Sequence, residues 1–247
     1  TNWPRKAIKP KPRTLRKVEE TWGSGHSYSD TFRFQDQVGL TDVNGNEILP
    51  ETAENYEIGL KFNALDGNLV GTAALFRTDK DNLIEAAPFP AFGRAVNIGS
   101  VRSEGFEFDL AGDLGNGWSF GAAYTYLDTA ISNNENPALP KGTRLRNVPQ
   151  HAASLRLAYE FNNDWRVFGA AIYESEKRTT TSPTVLTELP SYIRFDIGAS
   201  KKITDDAEVT LFIENVTDEV YYTSAANNNN VAVGAPMNAT LAFTKRF

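Results

Sequence analysis

The last eleven residues of the chain, MNATLAFTKRF, place Met237, Ala239, Leu241, Phe243 and Phe247 at odd-numbered positions. Apolar residues that recur with a period of two are typical of a β-strand with one apolar and one polar face. The stretch therefore predicts that the chain ends on such a strand. The remaining sequence shows whether the same alternation predicts further strands.

The same alternation recurs upstream, each time between turn residues. It marks nine clear strands, and HSYSDTFRF at 26–34 predicts a tenth. The eight upstream runs that are clear are NYEIGLKF (55–62), LVGTAALFRT (69–78), GFEFDL (105–110), WSFGAAYTY (118–126), HAASLRLAY (151–159), WRVFGAAIY (165–173), YIRFDIGASKKI (192–203) and AEVTLFIEN (207–215). So many strands without a helical pattern predict an all-β, antiparallel fold.

Short and long connections alternate between these strands. The short turns are LDGN (65–68), DLGNG (113–117), NND (162–164) and TDD (204–206), and the long polar loops lie near 35–54, 80–97, 131–149, 174–190 and 222–234. Outer-membrane barrels have short turns on the periplasmic side and long loops on the extracellular side. The pattern therefore predicts a portion of an antiparallel transmembrane β-barrel with about ten strands.

A β-sandwich or an up-and-down barrel in water is the competing fold, since either also gives many short strands. Two features favour the membrane interpretation. Several runs continue for more residues than the usual five or six of sheets in water, and they match the roughly 9 to 11 residues that cross a bilayer. Tyrosine and tryptophan also gather near the ends of the predicted strands, for example Trp118, Tyr126, Tyr159 and Trp165, as interfacial girdles do.

Composition removes several function classes. The chain has 247 residues, no cysteine and two histidines, His26 and His151, so neither a thiolate nor a multi-histidine metal site is predicted. The mean hydropathy is −0.40, and no apolar run approaches the roughly 20 residues of a transmembrane helix. We find no nucleotide-binding loop and no nucleophile elbow, so we predict that the chain is not an enzyme.

Charge separates the first residues from the rest. Residues 1–18 carry seven basic side chains and no acid, which leaves 18 basic and 31 acidic side chains, a net charge of −13, in the remainder. An acidic remainder argues against binding to nucleic acid. We predict that residues 1–22 form a basic tail that is disordered or not native to the fold, followed by one barrel segment at 23–247.

Several segments, taken in order, resemble one family. PETAENYEIGLKF (50–62), GTAALFRTDKDNLI (71–84), GSVRSEGFEFDLAG (99–112), LPKGTRLRNVPQHAASLRLAY (139–159) and IENVTDEVYY (213–222), before a final strand ending in phenylalanine, resemble the C-terminal half of TonB-dependent outer-membrane receptors of the ferric-siderophore type. The resemblance implies a barrel of about 22 strands with an N-terminal plug, location in the bacterial outer membrane, and import of a ferric siderophore driven by TonB.

The resemblance also carries expectations about partners. It implies that Phe247 and its strand form the signal that the barrel-assembly machinery recognises, and that the outer face contacts outer-membrane lipid. No cofactor is expected, because the ferric siderophore is the transported ligand. This chain shows no plug domain, so we expect a partial receptor that does not gate uptake alone; a structural or passive-pore small barrel is the alternative.

Ligand candidates follow from the family's use of aromatic and basic residues in the extracellular loops and the upper lumen. Ferric chelates are often anionic and flat, which suits guanidinium groups and aromatic faces. By position the predicted substrate-binding residues are Phe89, Phe92, Arg94, Lys141, Arg144, Arg146, Tyr173, Lys177, Arg178, Tyr221 and Tyr222. Each of them is also compatible with an ordinary role in a solvated loop or an aromatic girdle.

Overall fold

The computed structural model describes residues 22–33, 51–86, 95–97, 99–134, 139–184 and 187–246. The predicted basic tail, apart from its last residue, lies outside the described residues, as do Phe89, Phe92, Arg94 and Phe247. In the described part, no helix is long and apolar enough to cross a membrane.

Sixteen strands and one short 3-10 helix make up the described secondary structure. The strands are β1 (Trp22–Arg33), β2 (Glu51–Ala64), β3 (Leu69–Asp81), β4 (Ile84–Ala86), β5 (Ala95–Asn97), β6 (Ser100–Gly115), β7 (Trp118–Asn133), β8 (His151–Glu160), β9 (Trp165–Glu174), β10 (Lys177–Arg178), β11 (Glu188–Leu189), β12 (Tyr192–Thr204), β13 (Ala207–Glu214), β14 (Tyr222–Asn227), β15 (Asn230–Val233) and β16 (Asn238–Lys245). The 3-10 helix, Leu65–Gly67, lies in the turn between β2 and β3.

Ten of the strands form one antiparallel sheet, in the order β1-β2-β3-β6-β7-β8-β9-β12-β13-β16. The predicted all-β, antiparallel fold and its ten strands are confirmed, including the strand that begins the described residues. Each strand of this sheet pairs with the strand of the sheet that follows it along the chain. Every connection therefore joins two adjacent strands. The remaining six strands form three small ribbons, β4-β5, β10-β11 and β14-β15, inside the long connections.

The register of the sheet produces one continuous apolar face. Residues directly opposite each other in antiparallel strands point to the same side, and Ile58 opposes Leu75, which opposes Phe106. The row continues through Tyr126, and the neighbouring strands add their own alternating residues. Although these side chains are apolar, no protein layer covers them: Leu75 is 58% exposed and Leu241 is 73% exposed. A sheet with this face uncovered is suited to contact with lipid.

The opposite side of the sheet, which we call the polar face, carries the intervening residues. They include Glu57 and Lys61 on β2, Glu107 and Asp109 on β6, and Arg156 on β8. Lys61, Asp109 and Arg156 border the same shallow depression on this face. The two faces therefore differ in chemistry across the middle of the sheet, as the two sides of a barrel wall in a membrane do.

Aromatic rings cover glycines on neighbouring strands. A side chain added at Gly105 would meet the carbonyl oxygen of Tyr126 and the ring of Phe76, its direct cross-strand partner. The same arrangement occurs in three cross-strand pairs: Phe62 with Gly71, Phe76 with Gly105, and Phe168 with Gly198. Because glycine leaves room for the ring and for local curvature, such pairs stabilise curved sheets.

Few side chains of the described residues are fully buried, because a single sheet has no opposing layer. The small apolar core that exists lies at the end with long connections, where Val101 and Ile131 pack together. Leu83, Leu139 and Leu145 cover this pair. At its two sides the sheet ends on β1 and β16, which do not pair with each other in the described residues. The ten strands therefore do not close into a barrel by themselves.

Candidate functional site

The candidate site lies at the end of the sheet with long connections. It is built by three of them: the β7–β8 connection, the β9–β12 connection and the β13–β16 connection, which we call the loop cluster. The β13–β16 connection begins at Asn215, immediately after the last residue of β13, and contains the β14-β15 ribbon. Hydrogen bonds between side chains and backbone groups join the described parts of all three connections.

Asn215 starts the β13–β16 connection with a sharp turn. Its backbone has a φ of 53°, a left-handed conformation that asparagine tolerates better than most residues. The side-chain amide donates to the carbonyl oxygens of Glu219 (2.9 Å) and Ala235 (3.0 Å), and its oxygen accepts from the Glu219 N–H (2.9 Å). Asn215 is 0% exposed, so it joins the two ends of the connection from inside.

An ion-pair network on the polar face of β12 holds this turn to the sheet. Asp196 accepts a hydrogen bond from the backbone N–H of Asn215 at 2.9 Å through one carboxylate oxygen. Its other oxygen accepts from Arg194 Nη2 at 3.0 Å. Arg194 Nη1 also lies 3.0 Å from Glu214 Oε1 and donates to the Tyr221 hydroxyl at 3.1 Å. One arginine therefore connects β12, β13 and the connection that follows β13.

Two tyrosines and two cations stack beside this network. The rings of Tyr192 and Tyr221 have centroids 4.6 Å apart. Lys177 Nζ lies 5.8 Å from the centroid of the first ring, and Arg194 Cζ lies 5.9 Å from that of the second. Lys177 is 2% exposed and donates to Glu174 at 2.6 Å and to the Thr223 carbonyl oxygen at 2.9 Å. The charge of this lysine is therefore satisfied within the protein.

The β7–β8 connection reaches the β14-β15 ribbon through Asn147. The side chain of Asn147 accepts from the N–H of Ala225 at 2.7 Å and donates to its carbonyl oxygen at 2.8 Å. This pair of bonds imitates the pairing of a neighbouring strand. Arg146 adds a bond from Nη1 to the carbonyl oxygen of Ala226 at 2.7 Å. The ribbon is thereby attached to the β7–β8 connection by two adjacent residues.

The structure brings some of the predicted ligand residues together and separates others. Lys177, Arg178, Tyr221 and Arg146 all lie in the loop cluster, where Lys177 and Tyr221 are buried. Tyr222 begins β14 and is half-buried. Tyr173 opposes Ala153 and Ile193, which places it on the apolar face. Contact of these residues with a substrate stays a prediction.

Lys141 and Arg144 also belong to the β7–β8 connection, where they lie in the turn that follows β7. Lys141 is exposed there, and Arg144 is half-buried opposite Ala130. Thr143 secures the turn, since its N–H and hydroxyl both donate to the carbonyl oxygen of Pro140, at 3.1 and 2.7 Å. Lys141 is therefore the predicted cation with the most open access to solvent among those that the structure describes.

Sequence reasoning did not single out Arg194, Asp196, Glu214 or Asn147. Arg194 and Asp196 stand at alternate positions of a strand whose other positions are apolar, and this charged alternation was an available signal. Nothing in the sequence near Asn147 indicates its partner, because Ala225 lies 78 residues away along the chain.

Three buried polar atoms, two in the loop cluster and one on the adjacent strand β12, have no hydrogen-bond partner among the described residues. They are the Nε atoms of Arg178 and Arg194 and the hydroxyl of Thr180. Across the same described residues, no group of three histidine or carboxylate side chains converges as a metal site would require.

Comparisons with known proteins agree with this architecture. A family model described as "TonB dependent receptor-like, beta-barrel" matches residues 23–216. The chain is 35% identical over 212 residues to the metal-pseudopaline receptor CntO of Pseudomonas aeruginosa, covering 85% of this chain and 30% of that protein. The crystal structure of the siderophore receptor PiuA from Acinetobacter baumannii aligns with a TM-score of 0.75 and 26% identity, covering 93% of this chain and 34% of that one.

The ferric-catecholate import receptor Fiu of Escherichia coli K12, in its closed form, gives a TM-score of 0.74 at 25% identity, covering 94% of this chain and 34% of that one. The chain thus spans about a third of the length of the relatives it matches.

Proposed function

The chain belongs to the TonB-dependent receptor family through its β-barrel domain, and from that premise we propose that it forms part of the wall of a receptor that imports ferric siderophores. Barrels of this family lie in the outer membrane of Gram-negative bacteria. The apolar face of the sheet then contacts lipid, the polar face lines the lumen, and the loop cluster lies at the extracellular mouth.

The proposal rests on one observation: the sheet has a polar face on one side, and the loop cluster lies at one end of that sheet. An inward polar face with Glu57, Lys61 and Arg156 suits a lumen that holds polar contents. Among the described residues, the exposed Lys141 supplies a positive charge at the mouth that suits an anionic chelate. The named relatives support this ligand class, since they include a metal-pseudopaline receptor and a siderophore receptor.

Other parts of the proposed function rest on the family. We propose that TonB acts on the complete receptor through a plug domain, and that the barrel segment alone does not import. The metal enters as cargo within its chelate, and no resident cofactor takes part. The relatives are receptors rather than enzymes, and we propose the same of this chain. Phe247 is proposed to act in barrel assembly.

A passive pore built from these strands alone finds less support. A small pore requires a closed barrel, since an unpaired edge in hydrocarbon leaves backbone groups without hydrogen bonds. In the described residues β1 and β16 are both free edges of the sheet. Further strands from the complete receptor would cover them.

Uptake of radioactive iron tests the proposal. Cells that carry a deletion of the complete receptor gene are supplied with a panel of ferric siderophores, and uptake is compared with the parent strain and with a strain lacking TonB. We expect deletion to abolish uptake of at least one chelate, and loss of TonB to have the same effect. Unchanged uptake of the whole panel, together with reduced entry of small uncharged solutes, would favour the passive pore instead.

The predicted ligand residues are tested in the same assay. Lys141→Gln combined with Arg144→Gln removes two cations of the extracellular turn, and we expect the half-saturating chelate concentration to rise about tenfold, as for the loss of a charge-assisted contact. Lys201→Gln is the matched control, because Lys201 lies at the opposite end of the sheet, near Trp165. Equal effects of the two changes would remove the extracellular turn from the binding site.

A further inference from the structure

A pair of arginines stands on the apolar face, at the end of the sheet with long connections. Arg77 lies on β3 and Arg102 on β6, and both donate through Nε to Asp79, each to a different carboxylate oxygen, at 2.7 Å. Asp79 opposes Arg102 in the pairing of the two strands. One carboxylate therefore orients two guanidinium groups side by side, and we call the three residues the arginine pair and its aspartate.

The outer edges of the two guanidinium groups are open. The side chains of Arg77 and Arg102 are 46% and 40% exposed. Within the described residues, the hydrogen bonds of both groups run from Nε to Asp79, and none is made by the terminal nitrogens. A single carboxylate holds the two guanidinium groups in place. They can therefore bind one anion with little loss of side-chain entropy.

Neighbouring residues show at which depth of the membrane the two arginines lie. Arg77 opposes Tyr56, whose ring lies 5.3 Å from that of Tyr28 on the same face. Two residues below Arg77, Leu75 is openly exposed on the apolar face. Tyrosines of this kind mark the level where hydrocarbon meets headgroups. The guanidinium groups therefore lie at the headgroup level of the outer leaflet.

From this geometry we propose that the arginine pair and its aspartate form a binding site for a phosphate-bearing lipid headgroup of the outer leaflet. Guanidinium groups bind phosphate oxygens through paired, charge-assisted hydrogen bonds, and the two arginines offer such bonds to one phosphate from two strands. The inference rests on the outer-membrane position of the sheet and is independent of what the receptor transports.

The neighbouring charges favour a lipid over a free anion. Glu104 opposes Arg77 and Glu54 opposes Asp79 on the same face, so together with Asp79 three carboxylates lie beside the two arginines. Electrostatic attraction for an anion in bulk water is therefore weak. A phosphate anchored in the leaflet is held beside the site at a high effective concentration, so it binds without needing a strong net field.

Binding of purified lipid A to the complete receptor tests the proposal. The protein is solubilised in detergent, stripped of lipid and titrated with lipid A that carries phosphate or has been dephosphorylated, with native mass spectrometry as the readout. We expect the Arg77→Gln, Arg102→Gln double variant to bind phosphorylated lipid A about tenfold more weakly, and to lose the preference for the phosphorylated form.

Two further proteins serve as controls. Arg156→Gln makes the same change on the polar face and should leave lipid binding as in the wild type. The Arg77→Lys, Arg102→Lys variant keeps the charge without the paired donors, and we expect intermediate binding. Heat-modifiable gel mobility confirms that each variant is folded, and the lysine variant carries the test if the glutamine variant does not fold.

Two results would overturn the lipid site. The first is wild-type affinity and preference in both arginine variants. The second is equal competition by inorganic phosphate at the concentration of the lipid, which would indicate a site for a free anion. Failure of siderophore uptake would leave both outcomes of the titration unaffected, because lipid binding involves no transport.

Discussion

Replacement of Asn215 by alanine tests the central contact of the loop cluster. The change removes three side-chain hydrogen bonds, to the Glu219 N–H and to the carbonyl oxygens of Glu219 and Ala235. At about 1 kcal/mol for each bond, their loss costs about 3 kcal/mol. Alanine also tolerates the left-handed backbone less well than asparagine, which adds about 1 kcal/mol. We therefore expect Asn215→Ala to lower the free energy of unfolding by about 4 kcal/mol.

Asn116 supplies a matched control for this prediction. Its backbone has the same φ of 53°, but it stands in the exposed turn between β6 and β7, and no side-chain hydrogen bond of Asn116 occurs among the described residues. Asn116→Ala should therefore cost only the backbone part, about 1 kcal/mol. The difference between the two variants, about 3 kcal/mol, isolates the hydrogen bonds of Asn215.

The assay is urea unfolding of the complete receptor in phospholipid vesicles, followed by tryptophan fluorescence and by gel mobility. Hydrogen exchange at residues 215–237 shows whether destabilisation begins in the β13–β16 connection. If Asn215→Ala is no more destabilising than Asn116→Ala, the buried amide is not what holds this connection, and the account of the loop cluster is wrong.

Four further predictions address the sheet, the loops and assembly. Gly105→Ala should destabilise the barrel by about 1 to 3 kcal/mol, because the added carbon overlaps the Tyr126 carbonyl oxygen in a packed site, whereas Gly121→Ala, which meets nothing within 4 Å, should be tolerated in the same urea assay. Leu241→Arg should cost about 2 to 4 kcal/mol on the lipid side, and the adjacent Thr240→Arg, on the polar face, should cost far less; equal costs would contradict the assignment of faces. Asn147→Ala should raise hydrogen exchange across residues 222–233, since it frees Ala225, while Asn163→Ala at the other end of the sheet should leave that exchange unchanged. Phe247→Ala should reduce the amount of folded receptor in the outer membrane, measured by heat-modifiable mobility, and unchanged levels would remove the assembly role of this residue.

The alternation of apolar residues was sufficient to predict the ten strands and their two faces. Each strand of such a sheet obeys the same local rule, that side chains alternate between faces, so the pattern in AEVTLFIEN appears directly as β13. Turn residues were equally informative, because sequences such as DLGNG at 113–117 place left-handed positions where a tight turn needs them: Gly115, Asn116 and Gly117 all have positive φ.

The long connections were predicted less well, for a physical reason. They have no periodicity, and their conformation depends on partners far away along the chain. The aromatic and basic residues of these loops were chosen as ligands by their type, yet Lys177 is satisfied by Glu174 and by the Thr223 carbonyl oxygen. Tyr221 likewise packs against Tyr192. Residue type alone does not reveal whether a charge faces solvent or a partner in the fold.

By itself, therefore, the sequence determined the ten strands of the main sheet, the two faces of that sheet, the end at which each connection lies and the family to which the chain belongs, but not the six short strands inside the long connections. These properties are local, or repeat along the chain with a fixed period. Only the tertiary structure decided which residues meet across strands and loops: Arg77 with Asp79 and Arg102, Arg194 with Glu214, and Asn147 with Ala225. Such contacts depend on the register and on the closure of long connections, and neither leaves a periodic trace in the sequence.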